Sequence, residues 1–371
     1  MLDSRRPARE IEAWLRERRP DRLSELWRAA DACRARHVGA EIHLRGLIEV
    51  SNHCVRSCTY CGLRAPNDGL CRYRMAKAEV LAAAQLAVRL GYGTVVLQSG
   101  EDYGITAEWL AGVVRNIKRA TPLAVTLSMG ERPHEDLAVW RGAGADRYLL
   151  RFETSDRALY DAVHPPLRGR RSDRIAILRD LQRLGYEIGG GVMVGLPGQS
   201  YTSLAGDIDL FRRMDMDMVG LGPYIPNPEA PLGRGEVDVP AVAPDDRVPN
   251  TEEMTYKVLA LTRLVCPEAN IPSTTALATV NESMGRELGL RRGANVFMPN
   301  VTPRHYRELY RIYPNKASLH ETALPCEGWL AARLRPIGRR VGRGPGGRRR
   351  AGARSNAGDR ADTLASARAL R

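Results

Sequence analysis

The order of apolar and polar positions divides the chain into a helical beginning and a long alternating body. Between residues 8 and 38, apolar side chains such as Ile11, Trp14 and Leu15 recur at helical spacing and predict an N-terminal helical segment. After residue 40, short apolar runs typical of buried strands alternate with amphipathic helical patterns. The strand-like runs cover residues 43–50, 93–99, 123–128, 147–151, 189–194, 218–221, 269–275 and 294–298. The helical patterns include residues 78–90, 106–119, 173–184, 200–214 and 251–265.

Strand-like runs that are each followed by a helical stretch predict an α/β fold, namely a (β/α)8 barrel of the TIM type. A doubly wound open sheet is the structural alternative. In such barrels the active site lies at the carboxyl ends of the strands. Here those ends are rich in glycine and polar residues, at positions 51–61, 98–101, 128–131, 151–153, 195–199, 222–226, 274–275 and 299–300. We therefore expect a binding site at this rim.

Charge is distributed unevenly along the chain. The 371 residues have a formal net charge of +13, with 56 Lys and Arg against 43 Asp and Glu. Residues 335–371 hold 11 Arg and no Lys against two Asp, so that this segment accounts for +9 of the total. Its Gly, Ala and Arg cannot bury enough apolar surface to offset chain entropy, and we expect a disordered basic tail. The near-neutral body argues against nucleic-acid binding.

These patterns divide the chain into an N-terminal helical segment at residues 1–40, a barrel domain at residues 41–334 and the tail at residues 335–371. No apolar run reaches the roughly 18 residues of a membrane-spanning helix, and the charged N-terminus does not resemble a secretory signal. Seven cysteines, an odd number, argue against a disulfide framework. The sequence therefore predicts a cytoplasmic protein that does not bind membranes.

Three cysteines are closely spaced directly after the first predicted strand, as Cys54-x3-Cys58-x2-Cys61. A structural zinc site usually has four ligands, most often from two pairs, and no second pair follows. Three thiolates on a short loop instead suit a [4Fe–4S] cluster whose fourth iron is open to chelate a small molecule. The alternatives are incidental buried cysteines and a structural metal knuckle.

With Tyr60 before its last cysteine, this motif resembles the signature of the radical S-adenosylmethionine (SAM) enzymes. Further blocks resemble those of the HydE maturases of [FeFe]-hydrogenases, at residues 48–52, 60–64, 72–75, 96–102, 144–151, 193–199, 217–220, 270–275 and 293–300. The resemblance covers roughly residues 40–316, and biotin synthase and methylornithine synthase are related families. It implies reductive cleavage of SAM to a 5′-deoxyadenosyl radical by a [4Fe–4S] cluster, with a HydE-like role in assembling the active-site cluster of [FeFe]-hydrogenase.

The resemblance also implies roles for individual residues. Cys54, Cys58 and Cys61 are the implied cluster ligands. The residues implied to bind SAM are Tyr60, Gln98, Ser99, Gly100, Glu101, Ser128, Arg151, Glu153 and Arg174, and the segment 222–226 is implied to lie against the adenine.

Several of these positions also fit ordinary structural roles. Glu101 fits a solvated residue in a turn after a strand, and Arg174 fits a surface charge at the start of a helix. Arg151 and Glu153 fit an ion pair at the rim.

The substrate cavity is implied to lie inside the barrel, lined by Thr126, Ser128, Met193, Thr274, Thr275, Tyr306 and Tyr310. Of these, Thr126, Thr275 and Tyr306 are the candidate catalytic residues. Inward-facing Thr and Met side chains on barrel strands are more often packing residues than substrate contacts.

Many members of the family carry a second cluster site, C-x7-C-x2-C, near the C-terminus. Its positions in this chain are Ser318, Cys326 and Trp329, so that only the middle cysteine is present. We therefore expect a single cluster.

The implied partners are a small-molecule or organometallic substrate, a reductase or ferredoxin-type electron donor and the other hydrogenase maturases. One alternative is a related radical SAM enzyme that acts on a small organic molecule, as methylornithine synthase and biotin synthase do. Another is an iron–sulfur carrier without turnover. A role in nucleic-acid binding rests on the basic tail alone.

Overall fold

Strands and helices alternate along the chain in the computed structural model, which describes residues 7–167, 171–317 and 329–348. The strands are β1 (Glu41–Ser51), β2 (Thr94–Ser99), β3 (Ala124–Ser128), β4 (Arg147–Leu149), β5 (Glu187–Val194), β6 (Met218–Pro223), β7 (Val296–Phe297) and β8 (Arg340–Val341). The helices are α1 (Pro7–Arg16), α2 (Pro20–His37), α3 (Lys77–Arg89), α4 (Ala107–Ala120), α5 (His134–Gly142), α6 (Arg157–Val163), α7 (Arg174–Arg183), α8 (Tyr201–Arg213), α9 (Glu252–Val265), α10 (Thr275–Val280), α11 (Gly285–Arg291), α12 (Arg304–Arg307) and α13 (Trp329–Leu334). Every helical pattern named above coincides with one of these helices.

The strands form one parallel sheet in the order β6-β5-β4-β3-β2-β1-β7, and β8 pairs with the start of β1. Between β6 and β7, Asn270 bridges to Met218 on one side and Pro272 bridges to Val296 on the other. Because successive strands are neighbours around a ring, this is a barrel and not a doubly wound sheet. The predicted (β/α)8 architecture is confirmed, although the run at residues 269–275 supplies only bridges because α10 begins at its end.

Alternation along β1 separates an apolar outer face from a polar inner face. Ile42, Leu44 and Ile48 are buried in the main core against the surrounding helices. Arg45 and Glu49, on the other face, contact polar or sulfur atoms from other parts of the barrel. Parallel strands that are buried on both faces are normally apolar throughout. The polar inner face therefore indicates a barrel that encloses a site.

Short polar side chains fix where several helices begin. The Thr106 hydroxyl accepts a hydrogen bond from the Trp109 amide at the start of α4, and the Ser200 hydroxyl accepts one from the Ser203 amide at the start of α8. Each bond satisfies an amide that has no partner within its own helix. Capping therefore sets the positions at which the chain turns back from the strand ends.

The N-terminal segment forms two helices on the outside of the barrel, with α1 against α8 and α2 against α9. Ile11, Leu15 and Leu26 are buried in the main core. Pro20 occupies the first turn of α2, where its missing amide N–H costs no helical hydrogen bond. The predicted helical character of this region is confirmed.

A strap formed by residues 342–348 crosses the amino-terminal end of the barrel. The Pro345 carbonyl oxygen accepts hydrogen bonds from the Thr94 hydroxyl on β2 (2.9 Å) and from Arg147 on β4 (3.2 Å). The Gly346 carbonyl oxygen accepts a hydrogen bond from Asn270 (3.1 Å). These bonds reach strands on several sides of the barrel, so the strap covers this end.

The expectation of a disordered tail from residue 335 onwards does not hold for residues 335–348. In this segment β8 pairs with β1, and Arg348 forms ion pairs with Asp215 (2.6 Å) and Glu268 (3.5 Å). Composition alone is misleading here, because a glycine-rich segment can lie flat against strand ends where side chains would not fit. Arg348, which the composition placed in a solvated tail, therefore forms structural contacts with the barrel domain.

The rest of the basic tail, residues 349–371, lies outside the described residues, as do residues 1–6, 168–170 and 318–328. The second-cluster positions Ser318 and Cys326 therefore lie outside them, and so does the side chain of Trp329. Among the helices that are described, none combines the length and apolar character needed to cross a membrane.

The variant Gly93→Ala tests whether the strap packs against the start of β2. A Cβ on Gly93 would lie 1.7 Å from the Gly344 carbonyl oxygen. We expect the free energy of unfolding, measured in urea, to fall by about 1–3 kcal/mol, the usual cost of overpacking. Gly206→Ala on α8 is the matched control, because nothing lies within 4 Å of its Cβ position. Wild-type stability of Gly93→Ala would show that the strap does not occupy this place in solution.

Candidate functional site

The loop between β1 and α3 places three cysteines over the carboxyl end of the barrel. Cys54, Cys58 and Cys61 all line one cavity of about 330 Å³ at the rim of the strand ends. A cavity of this size can hold a small molecule. The structure thus brings the three thiols to the place where the strand pattern predicts a binding site.

The arrangement of the thiols differs from a site for a single metal ion. Within the described residues, no group of three or more His, Cys, Asp or Glu side chains is close enough to hold one ion. A cubane iron–sulfur cluster does not need such a group, because each thiolate binds a different iron. Burial raises the pKa of all three thiols, that of Cys61 to about 12. Their deprotonation therefore depends on bound metal or on nearby cations.

The end of β2 holds this loop through backbone contacts. The Glu101 amide donates a hydrogen bond to Cys54 Sγ (3.3 Å), and the Val55 amide donates one to the Glu101 carbonyl oxygen (2.9 Å). A Cβ on Gly100 would lie 2.2 Å from the His53 carbonyl oxygen. Glycine is needed at this position because the backbones of strand and loop touch.

A buried arginine inside the cysteine motif anchors the loop to two strand ends. Arg56 is 1% exposed, and its Nε lies 2.7 Å from Glu101 Oε1. Its Nη2 lies 2.6 Å from Glu131 Oε2. The Glu101 carboxylate also accepts hydrogen bonds from the Tyr103 hydroxyl and the Glu131 amide. This carboxylate is therefore engaged by the protein, which excludes the solvated position that the sequence left open for it.

Arg174, at the start of α7, extends the network to the cavity. Its Nε donates to Glu131 (2.9 Å), its Nη1 donates to the Arg151 carbonyl oxygen (2.6 Å), and its Nη2 contacts His164 Nε2. Burial and the Arg174 charge lower the pKa of His164 to about 2, so that the neutral ring accepts this hydrogen bond. Arg174 is largely buried, so it is not a surface charge. Within the described parts of the chain, these contacts use three of the five guanidinium N–H groups and leave two without a hydrogen bond.

Arg151 and Glu153 form an ion pair in the cavity wall after β4. Arg151 Nη2 lies 2.9 Å from Glu153 Oε2 and also donates to the Val192 carbonyl oxygen. Glu153 has a φ of 63°, a left-handed conformation that is uncommon for a residue with a side chain. The ion pair that the sequence left as an alternative is therefore present, and both side chains also line the cavity.

Glycines on β5 and β6 make room in this part of the cavity. A Cβ on Gly191 would lie 2.2 Å from the Gly220 carbonyl oxygen and 3.2 Å from Arg151 Cγ. Gly222 lines the cavity, and a Cβ there would lie 3.1 Å from the Ala276 Cβ. The space that the Arg151 side chain and a ligand can use thus exists because Gly191 and Gly222 have no side chains.

All the residues that the resemblance implies for SAM binding line this one cavity, namely Tyr60, Gln98, Ser99, Gly100, Glu101, Ser128, Arg151, Glu153 and Arg174. The segment 222–226 contributes its first four residues to the same wall. The geometry groups these residues as the sequence did, while the role of each toward SAM stays a prediction.

The candidate catalytic residues lie outside the wall of this cavity. Thr126 is buried on β3, two residues below Ser128, and its hydroxyl has no hydrogen-bond partner among the described residues. Thr275 is the first residue of α10. The Tyr306 hydroxyl donates to the Glu79 carboxylate on α3, 3.0 Å away.

Tyr306 is directed away from the cavity because α12 packs it on α3, with its ring stacked on Tyr73 at a centroid distance of 4.5 Å. Tyr310 and Tyr313, which follow four and seven residues later and after the end of α12, line the cavity instead. The Tyr310 hydroxyl accepts a hydrogen bond from the Gln98 amide group (3.1 Å). Sequence reasoning therefore placed tyrosines at the site but could not select which of them face it.

Sequence reasoning also missed Arg56 and Glu131, which hold the loop and Arg174 in place. The available signals were the position of Arg56 between Cys54 and Cys58 and the position of Glu131 after β3 at the predicted rim. Neither signal identifies a partner, because the ion pair joins segments that are far apart in the sequence.

The chain is similar to known proteins over most of its length. Residues 48–232 match the Radical SAM superfamily. The [FeFe] hydrogenase maturase subunit HydE of Thermotoga maritima is 43% identical over 325 residues, which are 88% of this chain and 89% of that protein. The biotin synthase of Sulfurihydrogenibium sp. is 25% identical over 68% of this chain and 73% of its own.

Solved structures share the fold at low sequence identity. Methylornithine synthase (PylB) has a TM-score of 0.73 and 22% identity, covering 91% of this chain and 94% of its own. The FeFe-hydrogenase maturase HydG of Carboxydothermus hydrogenoformans has a TM-score of 0.69 and 18% identity, covering 88% of this chain and 73% of its own. These two structures support the barrel fold and carry no argument about the substrate.

Arg56→Gln tests the anchoring network. We expect the free energy of unfolding in urea to fall by about 3–5 kcal/mol, because the buried carboxylates of Glu101 and Glu131 would lose the cation that bridges them and only Arg174 would remain beside them. Arg234→Gln is the control, because its ion pair with Glu236 (2.7 Å) lies at the surface and its loss should not change stability measurably. An effect of Arg56→Gln as small as that of the control would contradict the anchoring role.

Proposed function

Since the chain belongs to the radical SAM superfamily and, within it, to the HydE family of [FeFe]-hydrogenase maturases, we propose that its rim cavity binds a [4Fe–4S] cluster and SAM side by side. One observation carries the proposal: the three thiols of the cysteine motif line the same cavity as Arg174 and the Arg151–Glu153 pair. The similarity to HydE extends over 89% of that protein.

The donor set fits the cluster. Cys54, Cys58 and Cys61 provide three thiolates, and the described cavity wall contains no fourth cysteine. One iron is then open to the amino and carboxylate groups of SAM. When bound, the cluster supplies the electron that cleaves SAM into methionine and a 5′-deoxyadenosyl radical. The protein holds the reacting groups in place and keeps water from them.

We assign the SAM carboxylate to Arg174, because two of its N–H groups form no hydrogen bond among the described residues and its planar fork suits a carboxylate. The methionine amino group is assigned to the end of β2, at Ser99 and Gly100. Only the backbone of Glu101 can take part there, because Arg56 engages its carboxylate.

The remaining cavity residues divide between the nucleoside part of SAM and the substrate. Tyr60 and the backbone of residues 222–225 flank the position proposed for the adenine, and Glu153 lines the same cavity and can accept hydrogen bonds from SAM. Ser128 and Met193 line the side proposed for the substrate. Below them, the hydroxyl of Thr126, which has no hydrogen-bond partner among the described residues, is available to a ligand that enters the barrel.

We propose that the chain takes part in assembling the active-site cluster of [FeFe]-hydrogenase and that its substrate is an organometallic iron precursor. We further propose that the chain receives electrons from a ferredoxin-type donor, has the other hydrogenase maturases as partners and is located in the cytoplasm. A low-potential donor is required because the reaction begins with reduction of the cluster.

Alanine variants of the cysteine motif test the cofactor assignment. After anaerobic reconstitution, the wild type should hold about four irons per chain, give the EPR signal of a reduced cluster and form 5′-deoxyadenosine from SAM. Cys54→Ala, Cys58→Ala and Cys61→Ala should each lose 5′-deoxyadenosine formation. Cys71→Ala is the control, because Cys71 is exposed and outside the cavity.

SAM cleavage by a variant of the motif would contradict this assignment. About eight irons per chain in the wild type would contradict the expectation of a single cluster.

Product analysis tests the substrate class. With the reduced wild type, we expect an organometallic iron precursor to increase the rate of SAM cleavage and to be altered itself, as followed by infrared spectroscopy of its iron-bound groups. Stimulation by an amino acid or a thioether, with no effect of the iron precursor, would support instead the related enzyme that acts on a small organic molecule.

A further inference from the structure

Arg72 lies at the point where the loop that carries the cysteines returns toward α3. Its guanidinium donates four hydrogen bonds, all to backbone carbonyl oxygens. Nη1 donates to Asn52 (2.7 Å) and Leu63 (2.8 Å), and Nη2 donates to Arg64 (2.8 Å) and Asn67 (3.0 Å).

The carbonyl groups that Arg72 binds lie on both sides of the cysteine motif. Asn52 precedes Cys54 by two residues, and Leu63 follows Cys61 by two residues. One rigid group therefore fixes the separation of the two ends of the loop. A guanidinium suits this task because its donors form a planar fork, which loses little conformational freedom for each bond that it makes.

The Asn52 side chain strengthens the same closure. Its Nδ2 donates to the carbonyl oxygens of Cys71 (2.8 Å) and Leu309 (2.9 Å), and its Oδ1 accepts a hydrogen bond from the Tyr73 amide (2.7 Å). Both neighbours of Arg72 in the sequence thus bind the beginning of the loop. The end of β1 and the segment at residues 71–73 form one hydrogen-bonded unit around the motif.

The charge of Arg72 is not neutralised by an ion pair within the described part of the chain, where it donates only to carbonyl groups. Arg56 faces two buried carboxylates, and Arg74 pairs with Asp102 (2.7 Å). Arg72 is only partly exposed, so that solvent screens its charge incompletely. A cluster held by three thiolates becomes more negative on reduction, and a nearby cation stabilises that state.

We propose that Arg72 is the positioning residue of the cysteine loop, whose fork holds the two ends of the loop at the separation that the cluster requires and whose charge raises the reduction potential of the cluster. Arg72 is not part of the cavity wall, so it acts through the loop and touches no ligand. The separation required by the cluster and the effect on its potential rest on the proposed function, whereas the bonds that hold the loop exist in the protein alone.

Hydrogen exchange in the protein without iron tests the positioning. The variant Arg72→Lys keeps the positive charge but lacks the planar guanidinium, and Arg72→Gln lacks both the charge and the guanidinium. Arg115→Gln is the control for the loss of one positive charge, because Arg115 is exposed on α4. Three amides of the loop report on its position, namely those of Val55, Gly62 and Ala65, which donate to the carbonyl oxygens of Glu101, Ile312 and Arg56. We expect these amides to exchange faster in both Arg72 variants and at the wild-type rate in the control. Wild-type exchange in both Arg72 variants would overturn the positioning role.

The reconstituted protein tests the effect on the cluster. We expect both Arg72 variants to lose iron to a chelator about 10- to 100-fold faster than the wild type and the control. The midpoint potential from an EPR titration should be more negative in Arg72→Gln and close to the wild-type value in Arg72→Lys. Equal potentials in the wild type and Arg72→Gln would overturn the electrostatic role. A wild type that assembles no cluster would contradict the proposed function, while the exchange experiment would still decide the positioning.

Discussion

Three thiols must be held at fixed separations over the open end of a barrel, on a segment between β1 and α3 that contains no helix. Apolar packing cannot fix such a segment by itself, and the structure uses buried charge and backbone hydrogen bonds. Arg56 ties the loop to Glu101 and Glu131 from inside, and Arg72 joins the two ends of the loop from outside. Arg56 is buried and Arg72 is only partly exposed. The hydrogen bonds and ion pairs that they form therefore have to offset the loss of hydration of the bonded groups.

The barrel around this loop also leaves space for the site. Its outer face is apolar and packs against helices, while its inner face has glycine on β5 and β6 and polar groups on the neighbouring strands. The strap at residues 342–348 covers the amino-terminal end. The cavity therefore opens at the rim, where the Arg174 network and the left-handed Glu153 concentrate charge and backbone strain.

Sequence and structure agree where a feature depends on local pattern. The strands and long helices follow from hydrophobic period and capping, and the three cysteines follow from their spacing. They differ where a feature depends on a distant partner. Tyr306 faces α3 because α12 turns there, and residues 335–348 are ordered because strand ends accept their backbone, which composition does not report. The sequence places Arg56 inside the cysteine motif, but it does not indicate that Arg56 pairs with Glu101 and Glu131, which follow other strands.

The sequence by itself determined the barrel, the cysteine motif and the residues that gather at the rim. Each of these depends on periodicity or spacing within a short stretch, and a parallel barrel brings all its strand ends to one side. Only the tertiary structure decided how the charges pair, which tyrosines face the cavity and that residues 335–348 of the basic segment pack on the barrel. Those outcomes depend on contacts between segments that are far apart in the chain, where burial and the geometry of a specific partner decide between binding a ligand and holding the protein together.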